Sequence, residues 1–76
     1  MTRALVVDDS QFMRTVVGNE LRADGYDVVE ASNGKRALEK VEEHDPDVIT
    51  MDVQMPEMDG IEATERIMEW KPTPIL

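Results

Sequence analysis

The sequence predicts an α/β domain built on a parallel sheet with helices on both faces. Three observations carry that prediction. Apolar runs rich in β-branched residues alternate with stretches of helical periodicity, in the order βαβαβα and then the first residues of another strand. The runs Arg3-Ala4-Leu5-Val6-Val7 and Asp47-Val48-Ile49-Thr50-Met51 are almost continuously apolar, the pattern of strands buried on both faces. Both stop abruptly in acid, the first at Asp8-Asp9 and the other at Asp52. Open α/β sheets bind their ligands at the carboxyl ends of such strands.

With 76 residues the chain is one domain or part of one. A domain of this size buries only about 60% of its unfolded surface, so its independent stability is expected to be marginal. It has no cysteine, which removes disulfides and thiolate metal sites and fits a cytoplasmic protein. The apolar stretch near the N-terminus is too short for a signal-peptide core or a membrane span, so a soluble chain without membrane insertion is expected. Seventeen acidic residues against eight basic ones give a net charge of −9, which repels phosphate backbones and argues against nucleic-acid binding. The acidic surface is read as solubilising. Adaptation to high salt is a sharper version of that reading, because screening removes the self-repulsion.

Each element follows from local chemistry. Ser10 is placed to cap a helix over residues 11–23, whose Met13, Val16, Val17 and Leu21 recur at three- and four-residue spacing and form a candidate buried stripe. Arg14, Glu20 and Arg22 fall on the other side. Asp24-Gly25 ends this helix, with Gly25 suited to the left-handed position just past it. Tyr26-Asp27-Val28-Val29-Glu30-Ala31 alternates more than the first strand and is read as a strand nearer the sheet edge. Ser32-Asn33-Gly34 turns into a helix over residues 35–43 carrying Ala37, Leu38 and Val41 inward, and Asp45-Pro46-Asp47 stops it. His44 is expected in that loop, solvated. Asp59 can cap a third helix with Glu62 as the acidic member of a capping box; Ile61, Thr64, Ile67 and Met68 form its expected buried face, and Glu62 pairs with Arg66. Lys71-Pro72-Thr73-Pro74 leads into Ile75-Leu76, the start of a further strand. The chain is therefore expected to be the front part of a domain.

If the acid-ended strands are parallel neighbours, Asp8, Asp9 and Asp52 gather at one sheet edge. Like charges that close repel by on the order of several kcal/mol in a partly dry site, so they protonate or hold a cation. Oxygen-only donors in an open site favour Mg²⁺, and a carboxylate beside it is a candidate nucleophile toward a phosphoryl group. The plainer alternative stays open on spacing alone: an acid pair before a helix also serves to cap it and complement its dipole.

Val6-Val7-Asp8-Asp9-Ser10, together with the run from Asp47 to Asp52 and Val53-Gln54-Met55-Pro56-Glu57-Met58-Asp59-Gly60, resembles the receiver domain of two-component response regulators. The likeness covers the whole chain. It implies the flavodoxin-like (CheY-like) doubly wound parallel sheet, with Asp52 as phospho-acceptor from a histidine kinase's phosphohistidine. It also implies Mg²⁺ ligated by the side chains of Asp9 and Asp52 and the backbone carbonyl of Gln54, with Asp8 acting through water or an outer contact. Family members also use a Ser or Thr after the fourth strand and a Lys after the fifth. Both would lie beyond Leu76, so this chain is expected to bind Mg²⁺ weakly and to phosphorylate poorly.

A narrower likeness rests on Ser10-Gln11-Phe12-Met13-Arg14, Ile49-Thr50-Met51-Asp52-Val53, Gly60-Ile61-Glu62-Ala63-Thr64 and Lys71-Pro72-Thr73-Pro74-Ile75. These resemble the receiver of the chemotaxis protein-glutamate methylesterase family. There a C-terminal serine hydrolase domain demethylates chemoreceptors and deamidates their glutamines, and receiver phosphorylation relieves its block on that hydrolase. By this likeness the 76 residues are a partial regulatory receiver with no esterase site of their own, and the acidic balance suggests a halophilic archaeal source. Two rivals remain: a free-standing chemotaxis receiver acting as a binding module, and a Mg²⁺-dependent phosphohydrolase. The latter commonly carries a second Asp two residues after its nucleophile, where this chain has Gln54.

Overall fold

The computed structural model describes residues 2–51, 65–68 and 75. Within them the order is β1 (Arg3–Val7), α1 (Gln11–Ala23), β2 (Asp27–Ala31), α2 (Gly34–His44) and β3 (Val48–Met51). The sheet is parallel with β1 in the middle, in the order β2-β1-β3. Ile75 forms a parallel bridge to Ile49, so the sheet continues beyond β3. This is the flavodoxin-like arrangement with β2 at the edge, as its more alternating pattern predicts. Among the described residues its carbonyls and amides pair with β1 on one side only, and Val28 and Val29 stay half-buried while Ala4, Leu5, Val6 and Val7 of β1 are enclosed.

Alternation along the strands divides the sheet into two faces. Leu5, Val7, Ala31 and Ile49 pack with Ala37 and Val41 of α2 and with Ile67, which lies in helical residues 65–68; Val29, Leu38, Met51 and Ile75 border this cluster. The opposite face carries α1. Gly18, the helix's one buried residue, lets α1 approach Val28 closely: a Cβ at Gly18 would sit 3.6 Å from a Val28 methyl and 3.3 Å from the Arg22 guanidinium.

The caps are local. Ser10 accepts from the Met13 amide at 3.3 Å, and Asn33 does the same for the Arg36 amide at 2.8 Å. α1 ends with Gly25 at φ 93°, the Gly25 amide donating to the Arg22 carbonyl and the Tyr26 amide to the Leu21 carbonyl, both at 3.0 Å. α2 ends on Asp45 in the left-handed region at φ 50°, a conformation short polar side chains tolerate. At the amino edge of the sheet Arg3 joins three elements. Its Nε lies 2.7 Å from Asp27 Oδ2, its Nη1 donates to the His44 carbonyl at 2.8 Å, and its backbone amide donates to Asp47 Oδ2 at 2.8 Å.

Several expectations are corrected. Met13 and Val16 are exposed, at 41% and 36%, and the stripe meets the sheet only through half-buried Val17 and Leu21. Among the described residues the helix packs mainly over β1 and β2, so the stripe's flank overhangs. Arg14 is not on the solvent side: its side chain is 15% exposed and folds back toward the ends of β1 and β2. Met68 is exposed while Ile67 is buried, because one side of that turn faces the sheet. His44 is the last residue of α2 rather than a loop residue, and it is half-buried beside Glu43. The predicted cap Asp59, Ile61, Thr64, Glu62 with its pairing to Arg66, and the proline-rich exit fall on residues outside those described.

Candidate functional site

The carboxyl ends of β1 and β3 define the site. Register places Val7 beside Met51, the last described residue of β3. Asp52 and Gln54, predicted as phospho-acceptor and carbonyl ligand, lie outside the described residues. Asp8 and Asp9 follow Val7 directly. The Asp8 amide donates to the Ala31 carbonyl at 3.2 Å, extending the pairing with β2 by one step. Its Oδ1 accepts from the Ser10 amide at 2.9 Å, and its carbonyl accepts from Arg14 Nη1 at 2.7 Å. Asp8 is half-buried. Asp9 is exposed, and among the described residues its carboxylate has no hydrogen-bond or ion-pair partner.

These two acids thus differ: one is committed to holding the turn between β1 and α1, the other projects from that turn. Among the described residues no three acidic or histidine side chains converge as a metal cluster. The donor chemistry nonetheless suits a small hard cation, since the pair offers carboxylate oxygens at an open edge and Asp9 is not engaged by a described cation.

Beside the acids, a cleft of about 410 Å³ opens on the α1 face of the sheet. Val6 and Thr50 floor it, Met13 and Val17 wall it, and Asp8 and Met51 close the end. Among the described residues α1 packs mainly against β1 and β2, which leaves this space beside β3.

Arg14 is the residue that sequence reasoning missed. Besides bonding the Asp8 carbonyl, its Nε lies 3.5 Å from Glu30 Oε1, and Arg22 Nη2 reaches the other oxygen of the same carboxylate at 3.5 Å. A signal for it was present: a cation in the first turn of a helix opposes the helix dipole unless it is paired elsewhere.

Comparison with known proteins places this geometry. The model of the response regulator receiver domain matches residues 4–76. The chain is 66% identical, over 77 aligned residues that include all of it, to a protein-glutamate methylesterase/protein-glutamine glutaminase of Halobacterium salinarum, of whose length the match covers 22%. It is 52% identical over 68 residues to the chemotaxis protein CheY of Bacillus subtilis, covering 88% of this chain and 57% of that protein. Among solved structures, the response regulator domain of Thermotoga maritima CheB superposes with a TM-score of 0.93 at 47% identity, covering 99% of this chain and 57% of that one. A Thermotoga maritima regulator, TrrA, in complex with Mg(2+)-BeF superposes at 0.94 with 36% identity, covering 99% of this chain and 66% of that one. The chain spans about a fifth of the length of the methylesterases it matches. With paired acids at the carboxyl end of a central parallel strand and a family match over nearly every residue, this chain belongs to the response regulator receiver domain family.

Proposed function

We propose that this chain is the phosphorylatable receiver of a chemotaxis protein-glutamate methylesterase/glutaminase. Asp52 accepts the phosphoryl group from a histidine kinase of the chemotaxis type. Mg²⁺ is held by Asp9, Asp52 and the Gln54 backbone carbonyl, with Asp8 contributing through water or an outer contact. The observation that carries the reading is the β1–β3 register: Val7 pairs with Met51, and the next residues in sequence after these two are Asp8 and Asp52. The Mg(2+)-BeF complex of the Thermotoga maritima regulator supports the choice of cation.

When bound, the cation supplies charge neutralisation for the incoming phosphoryl oxygens. The chain's residues do the rest. The Asp52 carboxylate attacks phosphorus, a P–O bond forms as the P–N bond of phosphohistidine breaks, and the leaving imidazole takes a proton. Asp8, tied down at its amide, carbonyl and Oδ1, fixes the turn from which Asp9 projects.

The attached hydrolase, its chemoreceptor substrates and a cytoplasmic setting belong to the same proposal. The 66% identity to the Halobacterium salinarum methylesterase supports them, and the net charge of −9 fits a chain adapted to high salt. Among the described residues no helix is long and apolar enough to cross a membrane. The 52% identity to Bacillus subtilis CheY favours a second reading, a free-standing chemotaxis receiver that acts by binding.

The test is phosphotransfer from a phosphorylated chemotaxis kinase to the full-length protein. Asp52→Asn is expected to abolish acid-labile label; retained label in that variant sinks the assignment. Asp9→Ala is expected to weaken Mg²⁺ binding about tenfold or more, and unchanged affinity removes Asp9 from the ligand set.

A further inference from the structure

We infer that Arg14 is a positioning residue for the cation site, acting through the Asp8 carbonyl to fix the turn that presents Asp9. This rests on the magnesium-binding reading above and goes beyond it, since Arg14 is not a ligand in that reading.

The geometry is specific. Asp8 is tethered at three points: its amide to the Ala31 carbonyl, its Oδ1 to the Ser10 amide and its carbonyl to Arg14 Nη1, at 3.2, 2.9 and 2.7 Å. Ser10 is held in turn, its carbonyl by the Arg14 amide at 3.0 Å and its hydroxyl by the Met13 amide at 3.3 Å. Asp9 therefore sits between two anchored neighbours while its own carboxylate projects, exposed. Of the tethers on Asp8, the one from Arg14 is the shortest, and it alone comes from a side chain that is itself anchored, through Nε to Glu30 on β2. With its side chain 15% exposed, Arg14 is screened far less than a surface cation. Its guanidinium bonds the Asp8 carbonyl through Nη1 while its Nε side stays ion-paired with Glu30, a combination that a lysine ammonium cannot reproduce in the same geometry. Outer-sphere partners of this kind set how well a site is organised before the cation arrives.

Charge and position make opposite predictions. Arg14 is a cation near an acidic pair, so by Coulomb attraction alone its removal tightens Mg²⁺ binding. By positioning, its removal loosens the turn and weakens binding. Arg22 supplies the control, because it pairs with the same Glu30 at 3.5 Å but makes no contact with Asp8.

The experiment is a magnesium chloride titration of the full-length protein followed by backbone amide shifts of Asp9 and Ser10, with thermal unfolding measured in parallel. Relative to wild type, Arg14→Gln is expected to weaken Mg²⁺ about tenfold, while Arg22→Gln stays within about twofold or tightens. Arg14→Lys, which keeps the charge, is expected to weaken binding severalfold without loss of the folded spectrum, and it serves if Arg14→Gln does not fold. The inference is overturned if Arg14→Gln or Arg14→Lys binds Mg²⁺ as tightly as wild type, or if Arg22→Gln weakens it equally. Absence of any magnesium-dependent shift in the wild type, or its persistence unchanged in Asp9→Ala, overturns the magnesium reading and this inference with it.

Discussion

Replacing Arg3 by Met keeps most of the aliphatic stem and removes the guanidinium that joins β1, β2 and the end of α2. Two contacts are lost. The ion pair to Asp27 Oδ2 is short at 2.7 Å, but its partners are 39% and 42% exposed, so solvent screening holds it to about 0.5 kcal/mol. The bond from Nη1 to the His44 carbonyl at 2.8 Å is part-buried and charge-assisted, worth about 1 kcal/mol or somewhat more. The amide bond from Arg3 to Asp47 Oδ2 belongs to the backbone and survives. The sum is about 1.5 kcal/mol, which for a domain of this size lowers Tm by roughly 6–12 °C. Thermal unfolding followed by circular dichroism measures it, and a double-mutant cycle with Asp27→Asn separates the terms. The cycle's coupling energy is expected near 0.5 kcal/mol at low salt and close to zero at molar salt, while the penalty for the His44 bond persists. If the whole effect of Arg3→Met vanished at high salt, the bond to the helix end would contribute nothing and the reasoning would fail.

Other perturbations follow from the same structure. Ile49 is fully buried, pairs with Leu5 and bridges Ile75, so Ile49→Ala is expected to cost about 3 kcal/mol and Ile49→Val about 1, read from denaturant midpoints; a loss below 1 kcal/mol for the alanine variant would contradict its place in the core. Gly25 adopts φ 93° with open space around it, so Gly25→Ala is expected to cost about 1–2 kcal/mol through backbone strain alone, with no effect on Mg²⁺ affinity. A stabilising Gly25→Ala in the same unfolding assay would show that the left-handed turn is not needed.

Much of the fold was legible because it is written in local chemistry. Ser10 caps α1 since its hydroxyl reaches the Met13 amide, and Gly25 follows the helix since only glycine enters that region of backbone space freely. The near-continuous apolar character of Arg3–Val7 marked a strand enclosed on both faces, and the weaker run of β2 marked an edge. Periodicity failed where contact area, not spacing, decides. It identified the stripe of Met13, Val16, Val17 and Leu21 but not how much of its width the sheet covers, and two of the four residues overhang. It sent Arg14 outward, whereas a long side chain with a polar tip can fold back over the helix end.

Among the described residues, the sequence by itself determined the order of strands and helices and their bounds to within about a residue, the Ser10 cap and the Gly25 stop of α1, and that acids terminate β1 and follow β3, because hydrophobic periodicity, capping and backbone preference act within a few residues. Only the tertiary structure decided that β1 lies between β2 and β3, that Val7 stands beside Met51, and that Arg14 and Glu30 brace the turn holding Asp8 and Asp9. Those relations join residues far apart along the chain, and they are fixed by pairing register and by which side of the sheet each helix has room to cover.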